Sequence, residues 1–205
     1  HTNNPYSNAG YYFVTEKETA GRSMERVASV EGAILQVTTF DDYILHEEEL
    51  VSVNGSGREL YGESFESTLS RGFDYSIPGL TNDEGKITLD FIARPKGSSG
   101  RVSMSIDEEQ LISSQISTVS DSYLKARSVN RTVNWNGEKN EKVKVKIQYN
   151  TTGHENVRLN YFILQMKRQL KVYNGCTFFR SLSSRGNTSR FLIQDADATT
   201  LVFDI

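Results

Sequence analysis

The chain has 205 residues and a mass of 23.1 kDa, enough for one sizeable domain or two small ones. Hydrophobic residues at 37% and charged residues at 24% supply a packed core and exclude wholesale disorder. A formal charge of −3 gives no overall reason to expect nucleic acid or anionic lipid as a partner, and the apolar runs fall far short of the roughly 20 residues of a bilayer-crossing helix.

The residues 1–66 are the least regular part and are expected to wrap one domain, 1–205, as its first strands and loops. Ile34 to Phe40 is strand-like, whereas Phe40 to Val51 fits a helix capped by Asp41 or Asp42 as well as it fits a strand. Period-two alternation then marks strands at Phe73, Tyr75 and Ile77, at Ile87, Leu89 and Phe91, and at Val102, Met104 and Ile106. It is clearest at Val143, Val145, Ile147 and Tyr149, interleaved with Lys142, Lys144, Lys146 and Gln148, which form a solvated lysine face that discourages edge pairing. Leu159 to Met166 is apolar at both parities and is expected to be a central strand covered on both sides. Asn174-Gly175 reads as a hairpin turn leading into a buried strand that carries Cys176 as a small buried hydrophobe. Thr199 to Ile205 reads as a last strand, and its abrupt end, like the start at His1, predicts a piece of a longer polypeptide.

Gly, Asn and Pro turns between these runs suit short antiparallel connections. The expected fold is therefore all-β, an antiparallel, jelly-roll-like β-sandwich with an irregular N-terminal third.

The chemical inventory is thin. With one cysteine there is no internal disulfide and no four-cysteine zinc pattern, and no Gly-rich phosphate loop, HExxH, GxSxG or kinase signature occurs. A dyad of Cys176 with His46 or His154 remains a candidate because such partners need not be close in sequence. Glu47-Glu48-Glu49, Asn82 to Gly85 and Asp195-Ala196-Asp197 offer oxygen ligands for a structural calcium, but none has the spacing of a dedicated calcium loop. The sequons at Asn54, Asn130, Asn150 and Asn187 matter only in a glycosylating host. Gly57-Arg58-Glu59-Leu60-Tyr61-Gly62-Glu63-Ser64-Phe65 stands out as a loop in which Arg58 and Glu63 pair; a binding role for Arg58, Tyr61 and Glu63 is the sharper alternative.

That block, the opening Asn4-Pro5-Tyr6-Ser7-Asn8 with Gly10 to Phe13, and Leu159-Asn160-Tyr161-Phe162 resemble, in the same order, the region preceding the peptidase domain in type IX secretion sortases (PorU-like, gingipain-related peptidases of family C25). Val202 to Ile205 resembles the strand that leads into that domain, while Leu60 and Asn160 depart from the family pattern, which more often has Trp and Asp there. The resemblance implies a non-catalytic interaction domain, with no active-site residue and no cofactor of its own, in a cell-surface, outer-membrane-associated cysteine endopeptidase or transpeptidase. The implied partners are the downstream catalytic domain, exported cargo and secretion-system proteins.

Two rivals stand beside this. An independent carbohydrate-binding module would use Trp135, Tyr61 and Arg58 as an aromatic and polar platform for a glycan. A hydrolase would need Cys176 as its nucleophile.

Overall fold

The computed structural model describes residues 12–21, 23–55, 59–137, 141–151 and 153–204. Its strands in chain order are β1 (Leu35–Val37), β2 (Thr39–Glu47), β3 (Ser70–Ser76), β4 (Glu84–Pro95), β5 (Gly100–Ile106), β6 (Glu109–Ile116), β7 (Arg127–Asn136), β8 (Lys142–Asn150), β9 (His154–Gln169) and β10 (Ser189–Phe191). One four-stranded sheet has the order β2-β9-β4-β7, and the other has the order β3-β8-β5-β6. All ladders in both are antiparallel, while β1 and β10 form a small parallel pair. From β2 to β9 the chain crosses between the sheets at every step except the β5–β6 hairpin, which is the connectivity of a jelly roll. The expected all-β sandwich is the observed one.

Alternation explains the core. Ile87, Leu89, Phe91, Phe162 and Leu164 of the first sheet face Val102, Met104, Val145, Ile147 and Tyr149 of the second in one buried cluster. Each such side chain contributes about 1.5–3 kcal/mol by leaving water. Lys142, Lys144 and Lys146 point to solvent as expected, but β8 is paired on both sides, so they guard no edge.

Of the two readings open for Phe40 to Val51, the strand is the observed one: β2 pairs with β9 from Thr39–Gln169 to Glu47–Tyr161, and Phe40 is buried. Three expectations are corrected. Leu159 to Met166 is a central strand but is not buried on both faces. The register against β4 slips between Asp90–Tyr161 and Phe91–Leu159, so Asn160 is an extra residue that reverses the parity. Leu159 and Phe162 thereby reach the same core, and Tyr161 and Ile163 turn to the half-exposed outer side, where Asn160 donates to Asp90 Oδ1 at 3.2 Å.

The run 199–204 is not a strand. Leu201, Val202 and Phe203 are 69%, 62% and 56% exposed, and no strand among the described residues lies beside them to form a ladder. The Asn174-Gly175 turn exists, with positive φ at both residues, but Cys176 is exposed and Phe178 is 78% exposed, so no buried strand follows it.

Tyr149 is fully buried beside Phe91, and Gly100 leaves room for it, since a Cβ there would lie 2.1 Å from the phenolic oxygen. Burial, opposed in part by the Thr151 hydroxyl, pushes this phenol from 10.0 up to about 12. Below pH 10 the phenol is protonated in both states and its contribution to stability is complete; between pH 10 and about 12 only the unfolded chain ionises, and stability falls. Urea denaturation across this window is expected to show that fall, less steep in Tyr149→Phe; equal slopes would contradict the assignment.

Candidate functional site

The segment singled out in the sequence runs beside β9. Gly62 N–H donates to Leu159 O at 2.8 Å, Leu159 N–H to Glu63 O at 3.1 Å, and Phe65 N–H to Val157 O at 2.8 Å. These bonds extend the first sheet beyond the point where β2 ends. Gly62 suits the close approach of Glu48, whose carbonyl oxygen would lie 3.0 Å from a Cβ at that position. Arg158 Nη1 donates to Gly62 O at 2.9 Å and tightens the same contact.

Glu63 meets a residue the sequence did not link to it. His46 Nε2 donates to Glu63 Oε1 at 2.5 Å, and His46 Nδ1 lies 3.3 Å from the Tyr75 hydroxyl. The imidazole stacks on Phe162 at 4.9 Å and tilts against Phe73 at 4.5 Å. Side-chain exposure is 20% for His46 and 12% for Glu63, so the pair is largely withdrawn from water. Burial first, then the Glu63 charge, raises the Tyr75 phenol above its ordinary value. The line Glu63–His46–Tyr75 ties β2 of one sheet to β3 of the other.

Tyr61 is 7% exposed and donates to Glu59 Oε2 at 3.0 Å. Its phenol is pushed up to about 12, first by burial, then by the Glu59 hydrogen bond and the charges of Glu59 and Asp90. Arg58 lies outside the described residues, so its expected pairing with Glu63 does not enter this geometry.

Trp135 does not join the cluster. It is 6% exposed and belongs to the sandwich core, so the indole offers little open face to a sugar, the role it has in the rival carbohydrate-binding reading. Cys176 forms no hydrogen bond with His46 or His154. The first is held by Glu63 and Tyr75, and the second has Nε2 2.8 Å from Glu66 O. Among the described residues no His, Cys, Asp or Glu group gathers as a metal site. Asp83 accepts from Thr81 at 2.7 Å, Asp195 pairs with Lys171 at 2.7 Å, and Asp197 accepts from the Thr199 hydroxyl at 2.7 Å.

The arrangement can therefore lock two sheets and a loop together; no serine, threonine or cysteine among the described residues hydrogen-bonds to His46 as a nucleophile would. Removing one partner leaves the other desolvated and unpaired. Glu63→Ala is expected to lower the unfolding free energy by about 1–3 kcal/mol, and Glu63→Gln, which keeps an acceptor, by less. Equal stability of Glu63→Ala and the parent in urea would refute the lock.

No family model matches the chain, and no curated protein sequence matches it. Among solved structures, the crystal structure of dimeric latent PorU from Porphyromonas gingivalis is similar over 82% of this chain, with 27% identity and a TM-score of 0.68. Family 35 carbohydrate-binding modules from an environmental isolate and from Clostridium thermocellum are 12% and 10% identical over 71% and 62% of this chain and 98% of each module. Their TM-scores are 0.38 and 0.35. The chain spans 17% of the length of the PorU chain, and over that span it has a PorU-like fold.

Proposed function

We propose that this chain is a non-catalytic interaction domain of a larger cell-surface cysteine peptidase of the gingipain-related C25 family. In this reading it acts as a scaffold or cargo-presenting module for a catalytic domain elsewhere in the same polypeptide. The observation that carries the proposal is the likeness to one segment of PorU, at 27% identity and a TM-score of 0.68 over 82% of the chain. The locked polar cluster at Glu63, His46 and Tyr75 supports it, because those side chains hold the two sheets together and turn toward one another. Exposed Phe178, Leu182, Leu201 and Phe203 support it too, since apolar surface near the C-terminal segment suits contact with another domain.

The partners proposed are that catalytic domain, exported cargo and secretion-system components, met on the outer face of the outer membrane. The whole protein would be a processing endopeptidase or transpeptidase whose His and Cys lie outside this chain.

Sequencing the gene on both sides of this segment tests the proposal. The expected result is a continuous reading frame that encodes a caspase-like peptidase domain with its own His and Cys. A frame with no such domain, or with an unrelated one, would overturn it.

A further inference from the structure

The four sheet-edge strands are unequally protected. Along β2, the C-terminal segment supplies Arg180 O to Asp41 N–H at 2.9 Å and Leu182 N–H to Asp41 Oδ2 at 2.7 Å. β3 has seven residues, and its Arg71 reaches out to Ser64 O at 2.9 Å. β6 has eight, and its ladder slips at Met104/Ser105. β7 is different: ten residues pair with β4 from Asn136–Glu84 to Arg127–Ala93 without a register slip. It contains no Pro, Gly or Lys, and among the described residues no backbone hydrogen bond reaches its free side. Long, regular edges of this kind are templates for another strand, and proteins ordinarily blunt them.

The side chains of β7 are sorted by face. Ser128, Asn130, Thr132 and Asn134 occupy the outer face, where Asn130 donates to Asp90 at 2.8 Å, Thr132 meets Thr88 at 2.9 Å and Asn134 donates to Glu84 at 3.1 Å. Val129 and Trp135 turn to the core, so Arg127 and Arg131 share their side of the strand. Both arginines are exposed and line a groove of about 220 Å³ between the β7 edge and Gln115 and Ile116 at the end of β6, with Ser117 just beyond it. No carboxylate lines that groove. Arg131 Nη1 donates back to the Asn130 carbonyl at 3.0 Å, filling in for a donor that a neighbouring strand would supply.

We propose that the β7 edge is a docking site for an extended acidic peptide, which joins the first sheet as a fifth strand with its carboxylates in the groove against Arg127 and Arg131. Main-chain hydrogen bonds along the edge hold the peptide, and the alternate side chains select it. The two arginines stand four residues apart, about 13 Å along the strand, so the matching peptide carries Asp or Glu at two positions four apart. The same arginines reject other strands. A second copy of β7 laid antiparallel about Val129 would set Arg127 against Arg131 twice, a like-charge pairing that disfavours self-association. This inference does not depend on the likeness to PorU.

The test is fluorescence anisotropy on the intact chain with labelled Thr/Val-alternating peptides of about ten residues. One carries two glutamates four apart, a second carries lysines at those positions, and a third is the glutamate peptide N-methylated at alternate residues on each strand side in turn. The glutamate peptide is expected to bind saturably and about tenfold or more tightly than the lysine peptide. The Arg127→Glu/Arg131→Glu double variant reverses that preference with an unchanged circular dichroism spectrum. One of the two N-methylation patterns, the one that blocks the paired side, abolishes binding to the parent protein, a readout that needs no variant to fold. Equal binding of both charged peptides, no saturable binding at millimolar peptide, or binding indifferent to both N-methylation patterns would each overturn the proposal.

Discussion

Burial on one face of β9 is the constraint on which the rest of the structure depends. This strand runs for 16 residues and carries β2 on one side and β4 on the other. A strand of fixed parity could not bury Val157 and Leu159 together with Phe162, Leu164 and Met166, because the two sets differ by one position. The extra residue at Asn160 removes the conflict and supplies one continuous apolar face to the opposing sheet. It also marks the place where the partner of β9 changes from β2 to the segment 62–65.

The polar cluster follows from that change. As the segment 62–65 takes its place beside Val157 and Leu159, Glu63 comes to the end of β2 and meets His46. Phe162, the first core residue after the bulge, forms the flat wall on which the imidazole rests. The carboxylate, imidazole and phenol thus close the flank of the sandwich between β2 and β3, whereas at the other flank the edges of β6 and β7 approach one another around a groove lined by Arg127 and Arg131 and by no carboxylate.

Much of the sandwich was legible because β8 states its two faces without ambiguity, with lysine and valine or isoleucine in strict alternation. β7 was not, because its outer positions are polar and Arg127 and Arg131 interrupt the inner ones, as an edge strand permits. The β5–β6 hairpin turns on Asp107 and Glu108 at φ 45° and 78°, with no glycine to announce it. Asp107 is held there by its own bonds to Lys144, whose N–H it accepts at 2.9 Å. The apolar run at 201–203 misled for the opposite reason: alternation describes a strand's faces, but a ladder needs a neighbour. Of the candidate site, Tyr61 and Glu63 stood out as a motif, while His46 did not, since a contact made where the segment 62–65 takes over from the end of β2 beside β9 leaves no trace in local spacing.

Native-state hydrogen exchange along β9 is the most direct measure of this account. If one uninterrupted face of β9 holds both sheets together, the amides from Val157 to Leu159 and from Phe162 to Met166 exchange slowest in the chain and with a common opening free energy close to that of global unfolding. Different opening free energies on the two sides of Asn160, or exchange in β9 as fast as in the edge strand β6, would contradict it.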